Sequence, residues 1–276
     1  MKKSVSAYPY VLWAILFTVI PLIMVLFYSV YDQATGTFTL HFIQKCFDPL
    51  YLKVILYSFK LALYCTVLCL VIGYPVAMIL AKTSFKQKNT LLFLVIAPMW
   101  MNFLLRTYAW LTILENNGII NKILEFFNLG PYQLLYNEGA VLLGMVYNYL
   151  PFMILPIYTA LSKQDKNIIQ ASYDLGATKI QTFRKVELPL SMPGVYSGIA
   201  MVFMPAVTTF VISKLLGGGQ QMLIGNIIEK QFMEVSSTSS FGGALSLILI
   251  IVILVSMAVS NKLNPDDNSS EGGGLI

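Results

Sequence analysis

The chain has 276 residues, of which 57% are hydrophobic and 11% are charged, and its formal net charge at pH 7 is +5. Such a composition lacks the polar surface that a soluble globule needs, so it predicts an all-α integral membrane protein surrounded by the lipid bilayer. Basic patches with interleaved aromatic residues are absent, which excludes a nucleic-acid partner.

The hydrophobic residues form six separate runs, each long enough to cross a hydrocarbon core about 30 Å thick, which takes roughly 20 helical residues. The predicted spans cover residues 10–31, 54–81, 90–114, 139–161, 193–213 and 241–260. The first run is longer than the core of a signal peptide, and no cleavage site follows it near Asp32, so we expect it to be retained. Five runs contain proline, which predicts kinked helices: Pro21, Pro75, Pro98, Pro151 with Pro156, and Pro205.

The basic residues of the connecting segments predict the orientation, because lysine and arginine concentrate in short cytoplasmic loops. With both termini in the cytoplasm, eleven basic residues face inward and five face outward. The inward set is Lys2, Lys3, Lys82, Lys86, Lys88, Lys163, Lys166, Lys179, Arg184, Lys185 and Lys262, and the outward set is Lys45, Lys53, Lys122, Lys214 and Lys230. We expect one transmembrane domain over residues 1–263 and a disordered polar tail over residues 264–276.

The cysteines and the histidine predict no metal site. Cys65 and Cys69 stand four apart on one span, where they are expected to serve as small buried hydrophobic residues. Cys46 stands alone in an outer loop, and His41 is expected to be solvated in the same loop without ligand partners.

Two charges fall within or near predicted span ends, where a charge in lipid is costly. Lys60 and Arg106 are expected to extend to the outer face or to pair with a neighbour. A functional role for Arg106 remains open at this point.

Residues 118–129, between the third and fourth spans, read as a short amphipathic helix in the plane of the outer interface. The apolar side carries Ile119, Ile120, Ile123, Leu124 and Phe127, and the polar side carries Asn121, Lys122 and Glu125. A second outer helix is predicted over residues 222–232, after the glycines at 217–219. These helices either form a platform for an external partner or only cap the bundle.

A capped and charged segment over residues 163–190 lies between the fourth and fifth spans and predicts two short helices joined by a turn. Asn167 is expected to cap the first helix, whose Ile168, Ala171 and Leu175 share one face, and Gly176 is expected to end it with a positive φ. Thr178 is expected to cap the second helix with Gln181 as its capping-box partner, Ile180 and Phe183 are expected to face inward, and Pro189 is expected to stop it. An ordinary helical hairpin between two spans is the alternative.

Gly194 and Gly198 stand four apart at the start of the fifth span, which predicts close approach of another helix. No phosphate-binding Gly-x-x-x-x-Gly-Lys-Ser/Thr run, nucleophile elbow or His-Glu-x-x-His motif occurs, so the sequence predicts neither an enzyme nor an ATP site of its own. The predicted spans contain no carboxylate, which disfavours a proton-coupled secondary transporter.

The spacing of the cytoplasmic segment is informative beyond its helices. A Gln170-Ala171-Ser172 triplet, three residues, Gly176, nine residues and then Val186-x-Leu188-Pro189 resemble the loop by which permeases of bacterial ABC importers dock onto their ATPase. Over nearly the whole chain, further segments resemble the first permease of the spermidine/putrescine importers. These are Asp48-Pro49-Leu50-Tyr51, Gly73-Tyr74-Pro75, Ala97-Pro98-Met99-Trp100, Leu150-Pro151-Phe152-Met153, Leu188-Pro189-Leu190-Ser191-Met192-Pro193-Gly194 and Leu223-Ile224-Gly225-Asn226.

This resemblance implies a six-span permease of the type I ABC importer fold in a bacterial cell membrane. It implies a heterodimer with a second, similar permease, two copies of an ATPase that binds ATP and magnesium, and an extracytoplasmic polyamine-binding protein; no cofactor is expected in this chain. It assigns ATPase coupling to Gln170, Ala171, Ser172, Asp174, Gly176, Ala177, Phe183, Leu188 and Pro189.

A path for a polyamine should offer carboxylates or aromatic faces, and the spans offer aromatic and amide groups. The candidate path residues are Trp100, Asn102, Tyr108, Trp110, Tyr147, Asn148, Tyr149, Thr208 and Thr209. Tyr108 and Trp110 are equally well read as part of an interfacial aromatic belt. The family triplet usually reads Glu-Ala-Ala, so Gln170 drops a negative charge, and Lys214 is expected to be a mild brake on a polycation. The alternatives are another small solute, such as an inorganic anion or an iron complex, or a stand-alone secondary transporter or channel.

Overall fold

The computed structural model describes residues 8–32, 35–233 and 239–263, and the tail predicted over residues 264–276 lies outside this range. The first span consists of α1 (Tyr8–Ala14), a π-helical turn (Ile15–Val19) and α2 (Ile20–Val30). A two-stranded antiparallel ribbon follows, with β1 (Tyr31–Asp32) paired to β2 (Thr37–Phe38), and then the short helix α3 (His41–Lys45).

Three long helices form the centre of the bundle: α4 (Pro49–Lys82), α8 (Glu138–Ser162) and α11 (Leu188–Thr208). Their shared core includes Leu61, Cys65, Cys69, Met145, Met153, Ile157 and Val202, all fully buried. Burial of Cys65 and Cys69 confirms their predicted role as small hydrophobic residues.

The predicted close approach at the start of the fifth span is confirmed. A Cβ atom at Gly194 would lie 2.6 Å from both the Ala160 Cβ and the Pro156 carbonyl oxygen of α8. A Cβ at Gly198 would lie 2.8 Å from the Met153 Sδ. Only glycine lets α11 approach α8 this closely, and the close contact fixes the two helices against each other.

The last helix, α14 (Ser239–Leu263), packs against α2, so the two ends of the chain form one layer beside the central helices. A second buried cluster joins Cys46 to Phe241, Ala244 and Leu245 of α14. Cys46 is therefore not a loop residue in solvent, and burial raises the pKa of its thiol to about 11. His41 is exposed, as predicted.

The prediction of one continuous span over residues 90–114 is wrong. The chain forms α5 (Phe85–Trp100) and α6 (Phe103–Leu114), and the axes on the two sides of the break are bent by 93°. Asn102 caps α6, because its Oδ1 accepts hydrogen bonds from the Leu104 nitrogen at 2.8 Å and the Leu105 nitrogen at 3.4 Å. The side chain thus supplies the partners that a helix start lacks, which permits a sharp turn.

The predicted span over residues 193–213 begins earlier and breaks sooner. α11 ends at Thr208, Thr209 is extended, and the chain continues as α12 (Val211–Leu216) and α13 (Ile224–Met233). α13 confirms the second predicted outer helix. The first one is α7 (Ile119–Phe126), but its Asn121 is fully buried and not on a polar face, since its side-chain amide bonds to the backbone of Glu115 and Tyr132.

Within the described residues, five helices are long and apolar enough to cross a membrane, and the bent pair adds a sixth crossing if it is counted as one span. The fold is therefore an all-helical membrane bundle with breaks in its third and fifth spans. Between α8 and α11 lie the remaining helices, α9 (Lys166–Asp174) and α10 (Lys179–Thr182), with a π-helical turn (Phe183–Glu187) leading into α11.

Candidate functional site

The first helix of the loop over residues 163–190, here named the coupling loop, begins two residues earlier than predicted. Asp165, and not Asn167, is its cap: the Asp165 Oδ1 accepts a hydrogen bond of 2.9 Å from the Asn167 nitrogen. The aspartate precedes Asn167 by two residues, so the helix starts at the first side chain able to satisfy its free N–H groups.

The turn between α9 and α10 is built as predicted. Gly176 has φ +81°, its nitrogen donates to the Tyr173 carbonyl at 2.8 Å, and the Ala177 nitrogen donates to the Ser172 carbonyl at 3.0 Å. These two bonds form a Schellman motif, which ends a helix at a residue in the left-handed region. The predicted glycine stop is confirmed.

Thr178 then starts α10 with a complete capping box. The Thr178 Oγ1 accepts from the Gln181 nitrogen at 3.3 Å, and the Thr178 nitrogen donates to the Gln181 Oε1 at 2.8 Å. Because each residue satisfies the other, the direction of the second helix is fixed locally.

A hydroxyl pair missed by the sequence reasoning joins the two short helices. Ser172, the third residue of the triplet, shares a hydrogen bond of 2.9 Å with Thr182, which is 1% exposed. Gln170, at the head of the triplet, donates to the Asp174 Oδ1 at 3.4 Å and lies on the exposed side. Ser172 thus supplies an attachment that alanine could not.

Two apolar residues at and just after α10 point in different directions. Phe183, the first residue of the π-helical turn, points inward, with its ring centroid 5.8 Å from that of Tyr74 in α4, as predicted. Ile180 is 70% exposed, so the prediction that it faces inward is wrong, because Thr182 takes the inward position. Leu175 and Ile168 are also exposed, so the loop carries an apolar face that the described residues do not cover.

Pro189 does not stop the second helix. The chain passes from α10 through the π-helical turn into α11, and Pro189 lies in the first turn of α11 beside half-buried Leu188. Proline is tolerated there because the π-helical turn directly before it already replaces the α-helical hydrogen-bond pattern. The prediction failed because a first-turn proline and a terminating proline look alike in sequence.

A buried carboxylate at the base of the coupling loop was also missed. Glu187 is 3% exposed, and its Oε1 and Oε2 lie 2.9 and 3.0 Å from the Nζ of Lys82 at the end of α4. The Gln164 Nε2 donates to the Glu187 carbonyl oxygen at 2.8 Å. A carboxylate next to Leu188-Pro189, close to a hydrophobic run, is the sequence signal that could have indicated it.

The nine candidate path residues do not form one lining. Trp100, Asn102 and Tyr108 are exposed, with Asn102 used as a cap. Trp110 and Tyr147 form an edge-to-face pair with ring centroids 5.3 Å apart. These residues remain available to a partner, to lipid or to a solute.

The other path candidates are structural in this chain. Asn148 is buried and donates to the Gly144 carbonyl at 2.8 Å, and the Tyr149 hydroxyl donates to the Pro205 carbonyl at 3.3 Å. Thr208 donates to the Met204 carbonyl at 3.3 Å, and Thr209 is 7% exposed at the break. Tyr149 and Thr208 thus satisfy backbone groups near the end of α11, whereas the Asn148 Oδ1 has no hydrogen-bond partner among the described residues.

Two lysines near span ends are paired with carboxylates. Lys60 lies 3.4 Å from Glu138, as the expected pairing requires, and Lys214 lies 2.8 Å from Glu229. The Glu229 carboxylate offsets part of the Lys214 charge, and the role of Lys214 as a mild brake on a polycation stays a prediction. Arg106 neither extends outward nor pairs as expected: it is 8% exposed, and its Nε and Nη1 have no hydrogen-bond partner within the part of the chain described.

The fold and the coupling loop define a class, the membrane-spanning permeases with a two-helix loop between two spans. The family described as the inner membrane component of binding-protein-dependent transport systems matches residues 73–264. The spermidine/putrescine transport system permease protein PotB of Escherichia coli (strain K12) is 39% identical over 242 residues, covering 85% of this chain and 88% of that protein.

Two solved structures share the fold. A bacterial ABC transporter involved in the import of the acidic polysaccharide alginate matches with a TM-score of 0.77 at 16% identity, covering 95% of this chain and 94% of that one. The alginate transporter in complex with an alginate pentasaccharide-bound periplasmic protein matches with a TM-score of 0.72 at 15% identity, covering 93% and 92%. The chain belongs to the family of binding-protein-dependent transport system inner membrane components, the permease subunits of ABC importers.

Proposed function

We propose that this permease carries polyamines such as spermidine and putrescine into a bacterial cell, with ATP hydrolysed by a partner ATPase. The substrate rests on the similarity to PotB over most of both chains. The single structural observation that carries the ATP-driven mechanism is the coupling loop, whose geometry is fixed by its own caps and whose apolar face is left uncovered.

The loop is suited to transmit force. Its two helices are held to each other by the Schellman turn, the capping box and the Ser172–Thr182 hydrogen bond, so they move as one piece. Exposed Ile168, Leu175 and Ile180 offer the apolar contacts that a groove on an ATPase would cover. A rigid element with an uncovered apolar face is what a docking site requires.

The proposal includes a second, similar permease, two ATPase copies and an extracytoplasmic polyamine-binding protein. A binding protein is supported by membership of the binding-protein-dependent family and by the structure of the alginate transporter in complex with its periplasmic protein. Both termini are proposed to lie in the cytoplasm of an inner-membrane protein, on the distribution of lysine and arginine.

For the solute path we propose the Trp110–Tyr147 pair with the exposed Trp100 and Tyr108. Aromatic faces attract an ammonium group by about 0.5 to 2 kcal/mol, enough to guide a cation without trapping it. Tyr149 belongs to the supporting structure, because its hydroxyl donates to the Pro205 carbonyl, whereas the buried Asn148 Oδ1 has no hydrogen-bond partner among the described residues.

The decisive experiment reconstitutes this chain with its ATPase, second permease and binding protein, and measures labelled spermidine uptake with and without ATP. Spermidine and putrescine should compete with uptake, whereas sulfate and ferric citrate should not. Failure of polyamines to compete would discard the substrate and leave an importer of another solute. Ion-gradient-driven uptake by the isolated chain would favour a secondary transporter instead.

A further inference from the structure

The Glu187–Lys82 ion pair at the base of the coupling loop joins two distant parts of the chain. Lys82 is the last residue of α4, and Glu187 is the last residue of the π-helical turn before α11. The Glu187 side chain is 4% exposed, whereas that of Lys82 is 57% exposed. The carboxylate is thus fixed in the protein, and the lysine reaches it from the cytoplasmic surface.

The surrounding contacts show that the Glu187–Lys82 ion pair lies where three helices meet. Gln164, just after α8, donates to the Glu187 carbonyl oxygen at 2.8 Å. One turn further along α11, Ser191 shares a hydrogen bond of 2.8 Å with the Tyr74 hydroxyl of α4, and the Tyr74 ring contacts Phe183. Among the described residues, no other ion pair joins the coupling loop to a membrane span.

The backbone at the junction between the loop and α11 has fewer α-helical hydrogen bonds than a regular helix. A π-helical turn replaces α-helical hydrogen bonds over Phe183–Glu187, and Pro189 has no N–H to donate. Helices bend where these two features occur. A push on the coupling helices would therefore bend the junction unless side chains hold it from outside the helix.

We propose that the Glu187–Lys82 ion pair transmits movement of the coupling loop to α4 and α11, with Glu187 as a positioning residue. Because α4 holds both ends of the junction, Phe183 through Tyr74 and Glu187 through Lys82, the two spans and the second coupling helix move together. This inference rests on the proposed coupling function. If the ion pair only stabilised the fold, its removal would lower the amount of folded chain but leave the amount of solute moved per ATP hydrolysed unchanged.

The test uses the complete importer in proteoliposomes and measures labelled spermidine uptake and ATP hydrolysis on the same vesicles. For Glu187→Gln and Lys82→Met, uptake should fall about tenfold while ATP hydrolysis changes less than about twofold, within the range reported for residues in coupling networks. Lys82→Arg keeps the charge and should retain the wild-type ratio of uptake to hydrolysis. The exchanged variant, Lys82→Glu with Glu187→Lys, should restore most of the uptake.

The matched control is Glu138→Gln, which breaks the exposed Lys60–Glu138 pair at the other end of α4 and should leave the ratio unchanged. An unchanged ratio of uptake to ATP hydrolysis in Glu187→Gln would contradict this proposal. A parallel loss of folded chain, uptake and hydrolysis that the exchanged variant does not restore would contradict it as well. Absence of ATP-driven uptake in the wild-type importer would instead contradict the proposed function.

Discussion

The coupling loop and the opposite ends of the spans are built by different kinds of contact. The two short helices of the loop and the turn between them are shaped by bonds between residues at most ten positions apart, such as Ser172 with Thr182 and Thr178 with Gln181. The outer ends are shaped by contacts between distant residues, such as Tyr149 with Pro205 and Ser58 with the Ile224 nitrogen. Local bonds make the loop a unit that can move without changing its shape.

The outer ends also contain the two broken spans. α5 and α6 meet at a sharp bend capped by Asn102, and α11 gives way to α12 at Thr209. Broken helices expose carbonyl and N–H groups that other side chains must satisfy, and in membrane proteins they occur where backbone is buried or lines a cavity. We therefore expect the rigid loop to transmit movement and the irregular region around the two breaks to serve solute passage.

The largest effect is expected at Gly176. Valine there must adopt φ +81°, which costs about 1–3 kcal/mol for a residue outside its allowed region, although nothing lies within 4 Å of the added Cβ. Gly176→Val should abolish ATP-driven spermidine uptake with a normal amount of chain in the membrane. Gly176→Asn is the matched control, because asparagine tolerates this conformation, and it should keep most of the uptake. Wild-type uptake in the valine variant would remove the loop from the transport mechanism.

A smaller loss is expected in the outer region. Tyr147→Ala removes one ring of the Trp110–Tyr147 pair, and spermidine uptake should fall by about threefold to thirtyfold, the range that a cation–π contact spans. Tyr147→Phe keeps the aromatic face and should retain uptake. If both variants transport spermidine as the wild type does, the rings belong to an interfacial belt and not to the path.

Removing a helix cap allows a direct comparison of the two regions, because each region contains a helix that begins at a side-chain cap. Asn102→Ala and Thr178→Ala should each cost about 1 kcal/mol of stability, measured as lower melting temperatures of the purified chain. Only Thr178→Ala should also lower the spermidine moved per ATP hydrolysed. An equal drop in that ratio for Asn102→Ala would remove the functional distinction between the regions.

The smallest effect is expected at Lys214, which is 61% exposed at its side chain and paired with Glu229. Since exposed pairs contribute about 0 to 1 kcal/mol, Lys214→Met should change spermidine uptake by less than about fivefold. Lys214→Asp should preserve or raise uptake of a polycation, and a clear fall would indicate an anionic cargo.

The parts of the loop that depend on neighbouring residues could be predicted from the sequence. Gly176 and the Thr178 capping box follow from the chemistry of two or three adjacent positions. The cap at Asp165 was missed because two capping residues stand close together, and the effect of Pro189 was missed because a first-turn proline continues a helix. In each case several local readings were allowed, and the neighbouring helices selected one.

Residues that act through distant contacts could not be predicted. Glu187 looks like a loop carboxylate until α4 places Lys82 beside it, and Asn148 looks like a path residue until the bundle buries it. Hydropathy indicated the third span but not its bend, because the bend needs an Asn102 cap inside an apolar stretch. Tertiary packing decides these positions, and one sequence does not contain that information in a local pattern.

The account depends most on the coupling loop being the contact with an ATPase. A cysteine at Leu175, which is 89% exposed, can carry a thiol-reactive photo-crosslinker, because the native cysteines are buried and Cys46 has a pKa of about 11. In the complete importer, Leu175→Cys should crosslink to the ATPase subunit, and Phe127→Cys, 64% exposed on the predicted outer side, should not. Absence of an ATPase crosslink from Leu175→Cys in an importer that transports would contradict the account.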